Sequence, residues 1–181
     1  GDELIFETGE RLRAFTSGND LVARFGGDEF ALVRFGIDSA EAAEAYAEKL
    51  LRSLARPVAT ENHEVSSTAS IGISVAPKDG TTAHQLFKCA DIALYEAKAN
   101  GRNRFVSFTP EMNESLARRR RLEISLRNAI ETGRFELHYQ PLFDSDQVNL
   151  TGFEALLRLT DDKLGPVPPT EFVPIAEEMG L

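Results

Sequence analysis

The 181-residue chain has a single cysteine, Cys89, so no intrachain disulfide can form. A lone thiol suits a reducing compartment. No apolar run approaches the length of a membrane span, and the start, Gly1-Asp2-Glu3, is not that of a signal peptide. Positive charge is scarce too. The formal charge is −9, from 20 Lys and Arg against 29 Asp and Glu. It is shared: 12 basic and 16 acidic residues fall in 1–109, 8 basic and 13 acidic in 110–181. Neither part is a basic body that would hold nucleic acid through its phosphates. An anionic ligand has to be gripped locally, by a few placed cations, backbone amides or metal ions. Low-complexity tracts and internal repeats are missing as well. What is present is 42% apolar and 27% charged, enough to fold around a core.

Apolar spacing divides the chain. Leu4, Ile5, Leu12 and Phe15 recur at helical intervals and predict a helix over 2–15, broken by Thr16-Ser17-Gly18-Asn19-Asp20. The helical pattern begins at once, as if the chain opened inside a domain. Leu21–Phe25 and Phe30–Phe35 are β-prone runs joined by Gly26-Gly27-Asp28-Glu29, a hairpin with a four-residue turn. Ser39 can cap a helix reaching Ala55, which Pro57 ends. His63 to Ala76 reads as a strand, with Ala69, Ile71, Ile73 and Val75 alternating with Ser70, Gly72 and Ser74. A helix over Thr82–Ala99 stops at Asn100-Gly101, and Arg104–Phe108 is a closing strand. Thr109-Pro110 marks a boundary. Beyond it come a helix from Met112 to Thr132 stopped by Gly133, strands Phe135–Phe143 and Val148–Leu159, a loop over Gly165–Pro169 and a helix near Thr170–Met179. Three segments are expected: a domain over 1–109, a connecting helix over 110–132 and the start of another domain over 133–181.

The turn at 26–29 carries chemistry. Two glycines open backbone angles closed to other residues and let a ligand approach the main chain. Exposed amides in such a turn can meet phosphate oxygens. The adjacent carboxylates Asp28 and Glu29 can hold a hard divalent cation, the usual escort of nucleotide phosphates. In an arbitrary sequence the same letters are most often an ordinary hairpin with solvated acids. Lys98 and Arg102, near the end of a helix, are in isolation dipole-complementing cations. Cys89 and Tyr95 read as packing residues and His84 as solvated helix surface.

The flanks change that reading. Arg24-Phe25-Gly26-Gly27-Asp28-Glu29-Phe30, the strand Ser70–Ser74, and the run from Asp91 to Asn103 containing Tyr95, Lys98, Gly101 and Arg102 resemble, in order, the signature, central strand and closing helix of GGDEF (diguanylate cyclase) domains. Gly1-Asp2 sits where that family begins its second helix. The resemblance covers roughly 1–108. It implies an α+β domain like the nucleotide cyclases, with a central, mostly antiparallel sheet flanked by helices. Two GTP molecules would condense to cyclic di-GMP across a homodimer, with Mg2+ or Mn2+ neutralising developing charge. By position, Gly26 and Gly27 lie under the phosphates. Asp28 binds metal and helps deprotonate the attacking hydroxyl, and Glu29 supports the metal. Asp2 reads the guanine edge, Ile5 lines the base pocket, and Lys98 and Arg102 hold the terminal phosphates.

Two positions depart from the family pattern. Its opening strand, with a metal-binding Asp and a guanine-binding Asn, would precede Gly1, so the chain as it stands is expected not to make cyclic di-GMP. The family's inhibitory product motif, Arg-x-x-Asp, falls on Ser17 and Asp20. Serine lacks the planar fork that grips a guanine or phosphate, so no product inhibition is expected there.

A second resemblance covers about 122–181. His138-Tyr139-Gln140-Pro141-Leu142, Gly152–Arg158 and Pro169–Glu177 are similar, in order, to the beginning of EAL phosphodiesterase domains. Those are TIM-like barrels with the site at the strand C-termini. The resemblance makes Glu154 a metal ligand. It puts Gln140 and Arg158 in contact with cyclic di-GMP, with Pro141 and Leu142 shaping the pocket. Only an incomplete barrel segment is present, so no phosphodiesterase activity is expected of it. The run Arg118–Arg121 sits on a helix with Glu111, Glu114 and Glu123 nearby, and reads as a solvated interdomain face rather than a nucleic-acid patch. A cytoplasmic bacterial protein is implied, in which an N-terminal region could anchor the whole to a membrane. Two other readings stand beside the enzyme: a regulatory module that binds GTP or cyclic di-GMP without turnover, and a cyclase of another nucleotide, against which Asp2 as base reader argues.

Overall fold

The computed structural model describes residues 2–37, 39–59, 64–145 and 149–181. It divides into two compact units, Gly1–Asn113 and Glu114–Leu181.

In the first unit, α1 (Asp2–Ala14) leads into the hairpin β1 (Leu21–Gly26) and β2 (Glu29–Val33). There follow α2 (Ala40–Leu54), β3 (Val58–Ala59), β4 (Glu64–Val65), β5 (Ile71–Ile73), α3 (Ala83–Ala99) and β6 (Phe105–Ser107). Local chemistry sets the helix ends. Ser39 caps α2, its hydroxyl accepting from the Ala42 amide at 3.1 Å. Thr82 and Gln85 form a reciprocal capping box at the start of α3. The C-terminal end of α2 is closed from outside. The Arg11 guanidinium donates to the carbonyls of Ser53, Arg56 and Pro57 at 3.1, 2.5 and 2.9 Å, which ties α1 to α2.

Leu12, Leu50 and Leu54 are buried against Val22, Phe30, Leu32, Ala69 and Ile71. The hairpin and β5 therefore rest on the same pair of helices, α1 and α2. Strand β5 meets α3 on its other face. A Cβ built on Gly72 would lie 2.0 Å from the Ala90 carbonyl oxygen and 2.4 Å from the Leu94 nitrogen. Only a residue without a side chain lets helix and strand come this close. The helix carries the chain across, so β6 returns parallel to β5. The described strands of this unit form three two-stranded ladders: antiparallel β1–β2 and β3–β4, and parallel β5–β6.

The hairpin turn is tighter than expected. Gly26 pairs with Glu29, leaving a two-residue turn, Gly27-Asp28, and β2 ends at Val33 rather than Phe35. The strand expected over 63–76 is two short ones, Glu64–Val65 paired with β3 and Ile71–Ile73 paired with β6; His63 lies outside the described residues. Alternation reports extended backbone with one buried face, but a strand also needs a partner, and β6 offers three residues.

In the second unit, α4 (Glu111–Thr132, from Glu114 on) packs with β7 (Phe135–Phe143), β8 (Leu150–Asp161), β9 (Gly165–Val167) and α5 (Pro169–Glu178). The three strands form an antiparallel sheet in the order β7-β8-β9. The expected strand start, Val148, lies outside the described residues. The expected loop over 165–169 instead contains β9, with Pro166 opposite Thr160; at a sheet edge proline's missing donor costs nothing. Leu122, Leu126 and Ala129 on one face of α4 are buried with Leu159, Val167, Phe172 and Ile175.

The arginine run is solvated only in part: Arg118 and Arg120 are exposed, yet three of the four arginines make ion pairs. Arg118 forks onto Glu171, Arg119 reaches Glu123 and Glu178, and Arg121 binds Asp161 at 3.0 Å. Asp161 is buried and also accepts the amides of Lys163 and Leu164, both at 2.9 Å, which shapes the turn into β9. Burial by itself raises its pKa. The Leu164 and Lys163 amides, the Ser125 hydroxyl and the Arg121 guanidinium outweigh that and hold the carboxyl far below the usual range.

Two outcomes follow from this packing. Gly72→Ala should cost more than about 2 kcal/mol in urea unfolding, because backbone atoms cannot yield as side chains do. Gly152→Ala, where an added Cβ meets nothing within 4 Å, should be nearly neutral. For Asp161, whose folded pKa is depressed, the stabilisation is fully present above the unfolded carboxylate value of about 3.9 and is lost as pH falls below it. Acid unfolding of the wild type should show this loss below about pH 4, and Asp161→Asn should lose stability at neutral pH and flatten that limb.

Candidate functional site

The tip of the β1–β2 hairpin is exposed from Ala23 through Glu29. Arg24 pairs with Phe30 and Gly26 with Glu29, so Phe25 is an extra residue on β1. This bulge re-aims the strand just before the turn. Gly27 has φ +54, a left-handed backbone that glycine adopts freely, and a Cβ at Gly26 or Gly27 would meet only open space. Asp28 follows at the apex and Glu29 opens β2, so two carboxylates stand next to accessible main chain. Such a pair fits two positions around a Mg2+-type cation, which keeps several waters and takes further oxygens from phosphates. Among the described residues no three His, Cys, Asp or Glu side chains gather as a complete metal cage.

Sequence reasoning gave no role to Arg24. Its Nε and Nη2 both donate to the Gly27 carbonyl, at 3.0 and 2.7 Å. The signal was visible as a fork donor two residues before a glycine pair, but only the turn geometry shows its acceptor.

The other expected GTP contacts are spread along two helices. Asp2 is exposed in the first turn of α1 and Ile5 is half-buried one turn later. Midway along the same helix, Gly9 faces Phe30, the residue after Glu29, with a would-be Cβ 3.8 Å from the ring. Helix α3 meets the hairpin near its own start, where Phe87 stacks edge-on against Phe25 with ring centroids 5.4 Å apart. Lys98 lies eleven residues further on, about 16 Å along the axis. Arg102 follows the cap Asn100, with φ 58, and its amide donates to the Ala97 carbonyl at 3.0 Å. Both cations are exposed, and among the described residues no bond joins either side chain to the turn.

Asp20 is engaged internally. Its Oδ2 accepts the Ser17 amide at 2.9 Å and its Oδ1 the Phe35 amide at 2.9 Å, with Arg34 3.6 Å away. The side chain is 3% exposed. The Phe35 and Ser17 amides hold its carboxyl below the usual range. A surface depression of about 390 Å3, lined among others by Lys78, Asp79, Gln85, Lys88 and Cys89, includes none of these residues. The Cys89 thiol donates to the Asp79 carbonyl, and burial, then the Asp79 charge, raises its pKa, so it is a packing residue.

In the second unit the register decides which side chains share a face. Gln140 pairs directly with Glu154, Leu142 with Gly152, and Glu136 with Arg158. Strand alternation therefore puts Gln140, Leu142, Glu154 and Arg158 on one face, with His138 between. Pro141, paired with Phe153, lies on the other face. The first face is polar, and Glu154 and Gln140 are both exposed on it.

Known proteins match both units in sequence. The family model "Diguanylate cyclase, GGDEF domain" matches residues 1–104, and the EAL domain model matches 123–181. The chain is 41% identical over its full length to the bifunctional diguanylate cyclase/cyclic di-GMP phosphodiesterase MucR of Pseudomonas aeruginosa, and covers 26% of that protein. It is 35% identical, again over its full length, to the cyclic di-GMP phosphodiesterase PdeR of Escherichia coli, of which it covers 27%. The chain thus spans about a quarter of the length of these relatives. Among solved structures, the GGDEF domain of TpbB (YfiN) from Pseudomonas aeruginosa superposes with a TM-score of 0.60 at 30% identity, over 64% of this chain and 68% of that one. Signature turn, central strand and closing helix lie inside the first matched segment, and the chain belongs to the GGDEF diguanylate cyclase family, with the start of an EAL domain following from residue 123.

Proposed function

We propose that the full-length protein turns over cyclic di-GMP, its first domain condensing two GTP molecules and its EAL domain cleaving the product. The observation that carries this is the hairpin tip: an intact Gly26-Gly27-Asp28-Glu29 turn, exposed, with Gly27 in a left-handed conformation and both carboxylates beside bare backbone. The amides around Gly26 and Gly27 bind phosphate oxygens. The Asp28 carboxylate accepts the proton of the attacking 3′-hydroxyl. Asp28 and Glu29 would hold Mg2+ or Mn2+, which supplies Lewis-acid stabilisation of the phosphates when bound. Asp2 accepts from the guanine edge, Ile5 lines the base pocket, and Lys98 and Arg102 reach the terminal phosphates. Two protomers bring their GTP molecules together as a homodimer, in the bacterial cytoplasm where GTP is supplied. In the EAL part, Glu154 serves as metal ligand, Gln140 and Arg158 bind cyclic di-GMP, Leu142 shapes the pocket beside them, and Pro141, on the other face, shapes it through the backbone of β7. We take the domain limits as 1–109, 110–132 and 133–181.

A second reading, a module that binds GTP or cyclic di-GMP without turnover, draws support from the placement of the two cations. Lys98 and Arg102 lie at the other end of α3 from its contact with the hairpin. Turnover separates the readings. The full-length protein incubated with GTP and Mg2+ should yield cyclic di-GMP on a chromatogram. Asp28→Ala should cut the rate by about 100-fold or more while GTP still binds. Binding without product in the wild type would favour the second reading.

Asp20 generates a separate outcome. Both its oxygens are spent on the fold, and Ser17 offers no fork, so Asp20→Ala should leave inhibition by cyclic di-GMP unchanged and lower the melting temperature. Inhibition that disappears in this variant would count against the assignment.

A further inference from the structure

Resting on the reading of the hairpin as the GTP site, we infer that Arg24 is a positioning residue, whose guanidinium clasps the Gly27 carbonyl and holds the signature turn in its working shape. A two-residue turn closed by the Gly26–Glu29 pair leaves the Gly27 carbonyl outside the strand ladder. Arg24 supplies two donors to that one oxygen, at 3.0 and 2.7 Å. A planar fork is pre-organised for this, and a charged donor makes each bond stronger than a neutral one. The side chain reaches forward from a paired position, Arg24 opposite Phe30, and spans the bulge at Phe25. It thereby braces the irregular part of the strand against the turn.

The need for a brace follows from composition. Gly26 and Gly27 are adjacent, have φ 156 and 54, and have no Cβ contact to restrain them. Glycine is the residue with the most backbone freedom to lose. A glycine turn left free would sample many shapes, and the Asp28 carboxylate would move with it. Catalytic groups displaced by about 1 Å lose rate steeply. The clasp also polarises the peptide between Gly27 and Asp28. With a cation on its carbonyl, the Asp28 N–H becomes a better donor toward an anionic ligand. Arg24 thus acts on substrate through the backbone, with Nε and Nη2 both directed at the Gly27 carbonyl.

Two measurements on the full-length protein test this. Amide hydrogen exchange reads the clasp without reference to GTP. In Arg24→Ala, exchange across residues 26–30 should quicken about tenfold or more, with α2 and α3 unchanged. GTP kinetics reads its consequence. Arg24→Ala should lower kcat about tenfold or more with the GTP KM within about threefold. Arg24→Lys, which keeps the charge without the fork, should behave much like the alanine variant. Unchanged exchange, a raised KM with kcat intact, or full wild-type behaviour of the lysine variant would each overturn the inference, the second by making Arg24 a direct phosphate contact. Wild-type protein that neither binds nor turns over GTP would overturn the site reading, and with it the positioning role of Arg24. In that case the exchange data would still decide whether the clasp exists.

Discussion

The first unit depends on a side chain that is not there. Residue 72 is glycine, and α3 lies so close over β5 that any Cβ would collide with the backbone of Ala90 and Leu94. Backbone contact of this kind cannot be relieved by a rotamer change. It sets the distance between the helix and the strand, and therefore the line along which α3 runs. Everything α3 carries follows from that line: Phe87 against Phe25 at one end, Lys98 and the approach to Arg102 at the other. On the opposite face of β5, Ile71 joins Leu12, Leu50 and Leu54, so the same three-residue strand links α3 to the layer of α1 and α2. Arg11 completes that layer by closing the end of α2 with four carbonyl contacts.

The second unit has a polar anchor instead. Asp161 sits in the interior with its charge answered by Arg121, Ser125 and two backbone amides. Burying a carboxylate is costly unless its hydrogen bonds are made, and here each one also organises structure. The amides form the turn from β8 to β9, and the guanidinium ties that turn to α4. Arg118 and Arg119 extend the same logic to α5 through Glu171 and Glu178. Three of the four consecutive arginines, Arg118, Arg119 and Arg121, therefore serve as brackets between a helix and the elements that follow it.

The two candidate sites use secondary structure in different ways. The hairpin site is built on irregularity: a bulge at Phe25, a left-handed glycine and a carbonyl clasped by Arg24. In the second unit the site rests on regularity. The antiparallel register of β7 and β8 places Gln140 across from Glu154, and the pleat brings Arg158 and Leu142 to the same side. A slip of one residue would scatter that set over both faces.

Much was legible in the residues alone. Helix positions followed from apolar spacing and from caps such as Ser39 and Asn100, because these signals act within a few residues. The signature turn, the central strand and the closing helix identified the family from letters and order. The EAL blocks were recognisable in the same way. Other features belong to contacts between distant residues, and local pattern does not encode them. The division of the strand over 63–76 into Glu64–Val65 and Ile71–Ile73 followed from its two partners, β3 and β6. The strand inside Gly165–Pro169 needed β8 beside it. The arginines of α4 found acids about 40 to 59 residues away. Arg24 was only a neighbour of the signature until the turn folded back and offered it the Gly27 carbonyl. The sequence by itself determined where the helices lie and which family the segments compose. Tertiary structure alone decided partners, register and the roles of charged side chains, since those depend on distances that exist only once the chain has closed on itself.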